Sequence, residues 1–305
     1  FQLWPLIYTM GLAFCENYTD TMFNMEVGPT FNGLENFGTI FVSNKGTLFD
    51  TYTFRALGNT IIMWMMNFLP QILLALLLAV WFTDTRVKLK AQGAYKILTF
   101  MPNIITAATI SVLFYKLFDY PNGPLNQILV NSGIWSEPFR FLDTKWSTRG
   151  IVSFINFWMW YGNTMIVLTA GVLGISPSLF EAARVDGASS WQIFKSVTLP
   201  LLRPIMLFTL VNSAIGGLQM YDIPKLLTTS GYGDPDYTTR TITMYIRELA
   251  FTGSRQMGKA SAASLVLFVV TLFFSLILFY IMRDKDAIRE KKTIKAAQKA
   301  RKEAK

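Results

Sequence analysis

Ser176-Pro-Ser-Leu-Phe-Glu181-Ala-Ala-Arg-Val-Asp186-Gly-Ala-Ser-Ser-Trp-Gln-Ile-Phe-Lys-Ser-Val-Thr-Leu199-Pro200 joins two long apolar runs, and its reading decides what kind of chain this is. The pattern predicts a short helix, a break at Gly187, and a second helix that ends where a membrane span begins. Ser178-x-x-Glu181 and Ser189-x-x-Gln192 both fit the capping box, in which the side chains at the two ends of the motif satisfy free backbone N–H groups reciprocally. Gly187 stands where the chain must turn, and Pro200 is expected to open the next span. Trp191, Phe194 and Val197 give the second helix an apolar face beyond the bilayer. Such a face needs a protein or an interface to cover it.

The runs on either side of this loop have membrane length. About 20 mostly apolar residues are needed to cross the hydrocarbon layer, and five stretches qualify: 58–82, 95–118, 151–173, 200–221 and 260–282. A sixth run, 1–14, is too short, and we expect it to be the outer end of a first helix whose beginning precedes the sequence. The expected fold is therefore an all-α membrane protein of six transmembrane helices, the first incomplete at its start. Composition agrees: 52% of the 305 residues are hydrophobic and only 15% charged, where a soluble domain carries about 25% charged residues.

Charge orients the bundle. Segments 83–96, 174–203 and 283–305 hold most of the 28 basic residues and a minority of the 19 acidic ones. By the positive-inside rule they face the cytoplasm. The net charge of +9 is thus a topology signal, and nucleic-acid binding is not expected. The domain reading follows: 15–57 is an outer loop, 58–282 the transmembrane core, 174–199 a cytoplasmic loop and 283–305 a basic cytoplasmic tail, read as a stop-transfer anchor ahead of specific anionic-lipid recognition. The outer segments 15–57, 119–150 and 222–259 are long, which suggests that something docks outside.

Several function classes are excluded. With no histidine and one cysteine, Cys15, the common zinc constellations, imidazole acid–base catalysis and an internal disulfide are all unavailable. Gly253-Ser-Arg-Gln-Met-Gly258-Lys259-Ala260 nearly spells a phosphate-binding loop. Ala260 lacks the required hydroxyl, however, and no strand–loop–helix context surrounds it. The centres of the spans contain no Asp, Glu, Lys or Arg, which argues against proton coupling at depth.

Neutral polar residues, by contrast, line up at helical spacing. Thr60, Trp64, Asn67 and Gln71 share one face; Asn156, Trp160 and Asn163 share another, and Asn212, Gly216 and Gln219 a third. Asn67, Gln71, Asn156, Trp160, Asn163, Asn212, Gln219 and Tyr221 are the candidate substrate path. Amides can bond hydroxyls, and indole and phenol rings can stack on sugar faces. Interhelical hydrogen bonding with small-residue packing is the alternative for any one of them.

Glu181-Ala-Ala-x-x-x-Gly187, followed by Leu199-Pro200, resembles the EAA loop of bacterial ABC importer permeases. Asp186-Gly187-Ala188 and Pro204 make it similar to the carbohydrate-uptake branch that includes maltose- and glycerol-phosphate-type systems. Phe31-Asn-Gly-Leu-Glu-Asn-Phe37, Leu57-Gly-Asn-Thr60 and Tyr245-Ile-Arg-Glu-Leu-Ala-Phe251 resemble further segments of that branch, so the likeness covers nearly the whole chain. Leu227-Thr-Thr-Ser-Gly-Tyr-Gly-Asp-Pro235 differs from the branch's usual Gly-Gly-Pro stretch.

The resemblance implies that the loop is a coupling helix seated in a cleft of an ATPase subunit. Glu181, Ala182, Ala183, Asp186, Gly187, Leu199 and Pro200 would be the coupling residues. Capping of its own helix through Ser178 is the other role open to Glu181. It further implies an ATP-binding cassette dimer that holds ATP and magnesium, a second related permease, an extracytoplasmic solute-binding protein, and residence in the bacterial cytoplasmic membrane. This chain itself would be non-catalytic and need no cofactor, and its cargo would be a sugar or oligosaccharide moved by alternating access. The competing expectations are a secondary transporter or channel without an ATPase, and a membrane scaffold or receptor that moves nothing.

Overall fold

The long apolar runs form helices because nothing within them competes with the intrahelical hydrogen bonds, and lipid leaves a spanning backbone no other partner. The computed structural model describes residues 3–43, 46–47, 49, 51–84, 92–228 and 230–282. In chain order the elements are α1 (Leu3–Leu12), β1 (Cys15–Asp20), β2 (Met25–Phe31), α2 (Glu35–Phe41), α3 (Tyr52–Thr83), α4 (Gln92–Ile104) and α5 (Ala107–Leu117). After α6 (Pro124–Asn131) come α7 (Lys145–Leu173), α8 (Pro177–Val185) and α9 (Ser190–Ile193), then a π-helical turn at Phe194–Thr198 and α10 (Leu199–Leu201). The chain closes with α11 (Arg203–Leu218), α12 (Asp222–Leu227), α13 (Ile242–Phe251) and α14 (Met257–Met282).

Among the described residues, α3, α7 and α14 are each long and apolar enough to cross a membrane. The count reaches five if each of two bent pairs, α4–α5 and the α9-to-α12 run, is taken as one span. This is a multi-pass, mainly helical membrane protein. Helices α3 and α7 pack along each other at its centre. One core cluster joins Met63, Ile155, Met159 and Ile110 with Met220 and Ile223; another joins Ala75, Ala79, Met165 and Leu168 with Leu202. Of the three long helices, α7 is the least apolar and the most buried, and α14 is the reverse. A helix that meets lipid must be apolar outward, whereas one enclosed by protein can carry polar groups toward a cavity.

Three expectations change. The 95–118 run is not one straight span: α4 and α5 meet at 90°. Pro102 lies inside α4 and removes a backbone donor, and Thr106 starts a new helix by accepting from the Thr109 N–H at 3.3 Å. Pro200 does not open the next span either. It sits in α10, behind the π-helical turn, and the 67° bend falls at buried Leu202, with Pro204 in the first turn of α11. Each proline lacks an N–H and crowds the carbonyl four residues earlier, which accounts for both the widened turn and the bend.

The segment 15–57, expected as a loop, contains the strands β1 and β2, the helix α2 and the start of α3. Strands β1 and β2 pair antiparallel, with Cys15 opposite Phe31 and Asp20 opposite Met25, so among the described residues the fold is all-α except for this hairpin. Asn36 in α2 ties it down by donating to the carbonyls of Ala13 at 3.1 Å and Cys15 at 2.8 Å. Helix α3 starts at Tyr52, six residues before the apolar run at 58. Gly258 of α14 lies so close to the Cys15 carbonyl that no side chain fits there. With Ala260, Ala262 and Ala263 buried behind it, the Gly258–Ser264 stretch is a close-packing face. The basic tail 283–305, and most of the basic segment between α3 and α4, lie outside the described residues.

Candidate functional site

The three polar stripes converge. A cavity of about 580 Å³ opens between α3, α7 and α11, and all eight candidate path residues line it. Helix α3 contributes Asn67 and Gln71, α7 contributes Asn156, Trp160 and Asn163, and α11 contributes Asn212, with Gln219 and Tyr221 just beyond its end. The 3.6-residue repeat puts each set on one helix face, and the close α3–α7 pairing turns those faces together.

The stripes divide between two uses. Some members hold helices together. Gln71 Nε2 donates to Thr164 Oγ1 at 2.7 Å and Trp64 Nε1 donates to Ser213 Oγ at 3.2 Å, whereas Asn156 Nδ2 donates within α7 to the Val152 carbonyl at 2.9 Å and reaches Met220 Sδ at 3.6 Å. Others are free. The side-chain amides of Asn67, Asn163, Asn212 and Gln219 have no hydrogen-bond partner among the described residues. Trp160 is 47% exposed although it sits in the middle of a long helix. An amide that faces a roomy cavity without a protein partner is available to water or to a bound hydroxyl.

At the basic end of the bundle, α8 ends in a Schellman arrangement. The Gly187 N–H donates to the Arg184 carbonyl at 3.0 Å and the Ala188 N–H to the Ala183 carbonyl at 2.9 Å, with Gly187 at φ +77°. The expected turn at Gly187 is thus present. Of the two expected capping boxes, only Ser189–Gln192 forms, with its side-chain contacts at 2.7 and 3.4 Å. Ser178 is not a cap: Pro177 occupies the first turn, Ser176 precedes the helix, and the two serine hydroxyls bond each other at 2.8 Å. That removes capping through Ser178 as a role for Glu181.

Glu181 and Arg184 instead line a second cavity of about 230 Å³, walled by Val80, Val172, Phe180 and Phe194. Ala182, Asp186 and Gly187 are exposed on this element, while Ala183, Leu199 and Pro200 are half-buried. Val185 is 88% and Trp191 68% exposed. Val185 lies in α8, outside every candidate span, and Trp191 stands at the very start of the bent α9-to-α12 run.

The chain matches, over residues 51–286, the family described as binding-protein-dependent transport system inner membrane component. It belongs to that family. The lactose transport system permease protein LacF of Rhizobium radiobacter is 31% identical, the match covering 77% of this chain and 78% of that one. The diacetylchitobiose uptake system permease protein NgcF of Streptomyces coelicolor is 27% identical over 84% of this chain and 72% of its own length. A chain from the crystal structure of a bacterial ABC transporter involved in the import of the acidic polysaccharide alginate superposes with a TM-score of 0.75 at 26% identity, covering 92% of this chain and 89% of that one.

Some residues that line the permease's large cavity are ones that sequence periodicity passed over. Thr209 and Ser213 line the large cavity beside Asn212, and their spacing on α11 was a usable signal. Asp222 lines it too, but it stands at the start of α12, past the end of α11 and its stripe. At the opposite end from Gly187, Arg240 is enclosed by the rings of Tyr52, Tyr237 and Tyr245 and pairs with Glu248. Burial pushes the Tyr245 phenol up, with Arg240 pulling the other way.

Proposed function

We propose that this permease forms the path for a sugar or oligosaccharide through an ATP-driven importer of the bacterial cytoplasmic membrane. The observation that carries this reading is the 580 Å³ cavity between three packed helices, with four amides that have no hydrogen-bond partner among the described residues and an open indole. Amides donate to and accept from hydroxyls without a charge, and an aromatic face packs on the apolar face of a pyranose. Relatives named for lactose, arabinooligosaccharide and diacetylchitobiose transport support the same cargo class.

In this reading the loop 174–199 docks on an ATP-binding cassette dimer, which holds ATP and magnesium; this chain binds no cofactor. Glu181, Ala182, Ala183, Asp186 and Gly187 meet the ATPase, and Leu199 and Pro200 carry its movement through the 67° bend into α11. A second related permease completes the path. A solute-binding protein delivers cargo to the outer face, as in the alginate importer solved with its alginate pentasaccharide-bound periplasmic protein.

The test is affinity purification of this chain in mild detergent with identification of its companions. Wild type should retain an ATPase and a second permease, and Glu181→Lys should lose the ATPase alone. A chain that purifies by itself, or an ATPase retained equally by Glu181→Lys, would overturn the coupling assignment.

A further inference from the structure

Above the large cavity lies a smaller one of about 150 Å³, lined by Lys225, Arg240, Arg247 and Glu248 together with Tyr221, Tyr232 and Phe251. Tyr221 belongs to the walls of both cavities, so the two adjoin at this residue. Arg240 and Glu248 cancel each other's charge. Arg247 and Lys225 are left as cations with no acidic partner among the described residues.

Arg247 is positioned rather than loose. Its guanidinium lies 4.5 Å from the Tyr221 ring centroid and 5.8 Å from that of Phe251, which orients the planar fork while leaving its donors uncommitted. Lys225 is held by one donated bond to the Gly231 carbonyl at 2.7 Å and lies 5.0 Å from the Tyr232 ring centroid. Gly231 is at φ +69°, and a β-carbon there would press on the Lys225 side chain. Arg240 is 6% exposed, and its Nε has no hydrogen-bond partner among the described residues. A buried cationic donor without an acceptor is costly unless a ligand or water supplies one.

We propose that this small cavity is an anion subsite and that the cargo is an acidic oligosaccharide. A carboxylate on one sugar ring is held by Arg247 and Lys225, and the neutral rings lie among the amides of the large cavity. This rests on the importer reading above and narrows its substrate class. A volume of 150 Å³ is below the roughly 300 Å³ of ordinary ligand pockets, so it suits one charged group and not a whole oligosaccharide. The Tyr221 ring at the junction can pack against the sugar ring that carries the acid. Asp222 lines the large cavity only, where an anion is repelled and hydroxyls are accepted. That places the charge of the cargo on the Arg247 side of Tyr221.

The experiment measures binding of D-glucuronate, D-glucose and inorganic sulfate to the purified importer complex in nanodiscs. Wild type should bind glucuronate about tenfold or more tightly than glucose, the scale of one charge-assisted contact. Arg247→Gln should bring that ratio close to one, and Arg247→Lys should restore part of it. Equal affinities for the two sugars in the wild type, or a ratio untouched by Arg247→Gln, would overturn the subsite while leaving the importer reading in place. Sulfate competing as well as glucuronate would also overturn it, because the cavity would then hold an anion without the sugar. No binding of either sugar would sink both. If Arg247→Gln instead abolished stimulation of the ATPase by the sugar-free binding protein, the carboxylate would belong to that protein and not to the cargo.

Discussion

Gln71 reaches from α3 to the Thr164 hydroxyl of α7 at 2.7 Å, with both groups buried, so one stripe of the cavity wall is also a tie between the two central helices. Replacing Gln71 by Leu should lower stability by about 1 kcal/mol, as for other interhelical side-chain bonds in membrane bundles. Thermal unfolding of the detergent-solubilised protein reads this directly. The double variant Gln71→Leu with Thr164→Val should lose less than the two single losses combined; strict additivity would mean that the bond contributes nothing.

The free amides should behave differently. Asn163→Ala and Gln219→Ala remove side chains with no hydrogen-bond partner among the described residues, so assembly and unfolding temperature should change little. Uptake by reconstituted importer should fall about tenfold for each, the size of one lost hydrogen bond to cargo. Unchanged uptake in both variants would show that cargo passes elsewhere.

Two adjacent glycines give a paired control. A β-carbon at Gly217 would overlap the Trp64 indole, whereas nothing lies within 4 Å of one at Gly216. Gly217→Ala should cost about 1–3 kcal/mol through overpacking, and Gly216→Ala should leave stability unchanged. Comparable unfolding temperatures for the two variants would contradict the close α3–α11 approach.

At the turn between α8 and α9, Gly187 holds φ +77°. A β-branched residue there is strained by about 1–2 kcal/mol, while Asn tolerates the left-handed region. Gly187→Val should therefore lose ATPase co-purification while Gly187→Asn largely keeps it. Equal retention would mean that the turn geometry does not matter to docking.

Glu248 is the partner of an Arg240 side chain that is only 7% exposed. Glu248→Ala leaves that guanidinium buried and unpaired, a loss of about 3 kcal/mol, the lower end of the range for broken buried pairs because Glu248 is itself partly exposed. Glu248→Gln, which keeps an acceptor, should cost less. Similar unfolding temperatures for both would show that the pair is not needed to hold the outer face.

The sequence alone determined the membrane class, the three polar stripes and the loop with its turn at Gly187. Each of these rests on spacing along one segment: apolar run length against bilayer thickness, the 3.6-residue repeat, and a residue without a β-carbon at a helix end. Tertiary structure decided the rest. Whether Asn163 is free while Gln71 is tied to Thr164 depends on which helix lies opposite. The bends at 104–107 and at Leu202 arise where prolines and neighbouring helices together break a span that looks continuous in composition. The small cavity joins Lys225 of α12, Arg240 of the following loop and Arg247 of α13, and no single-segment periodicity relates them.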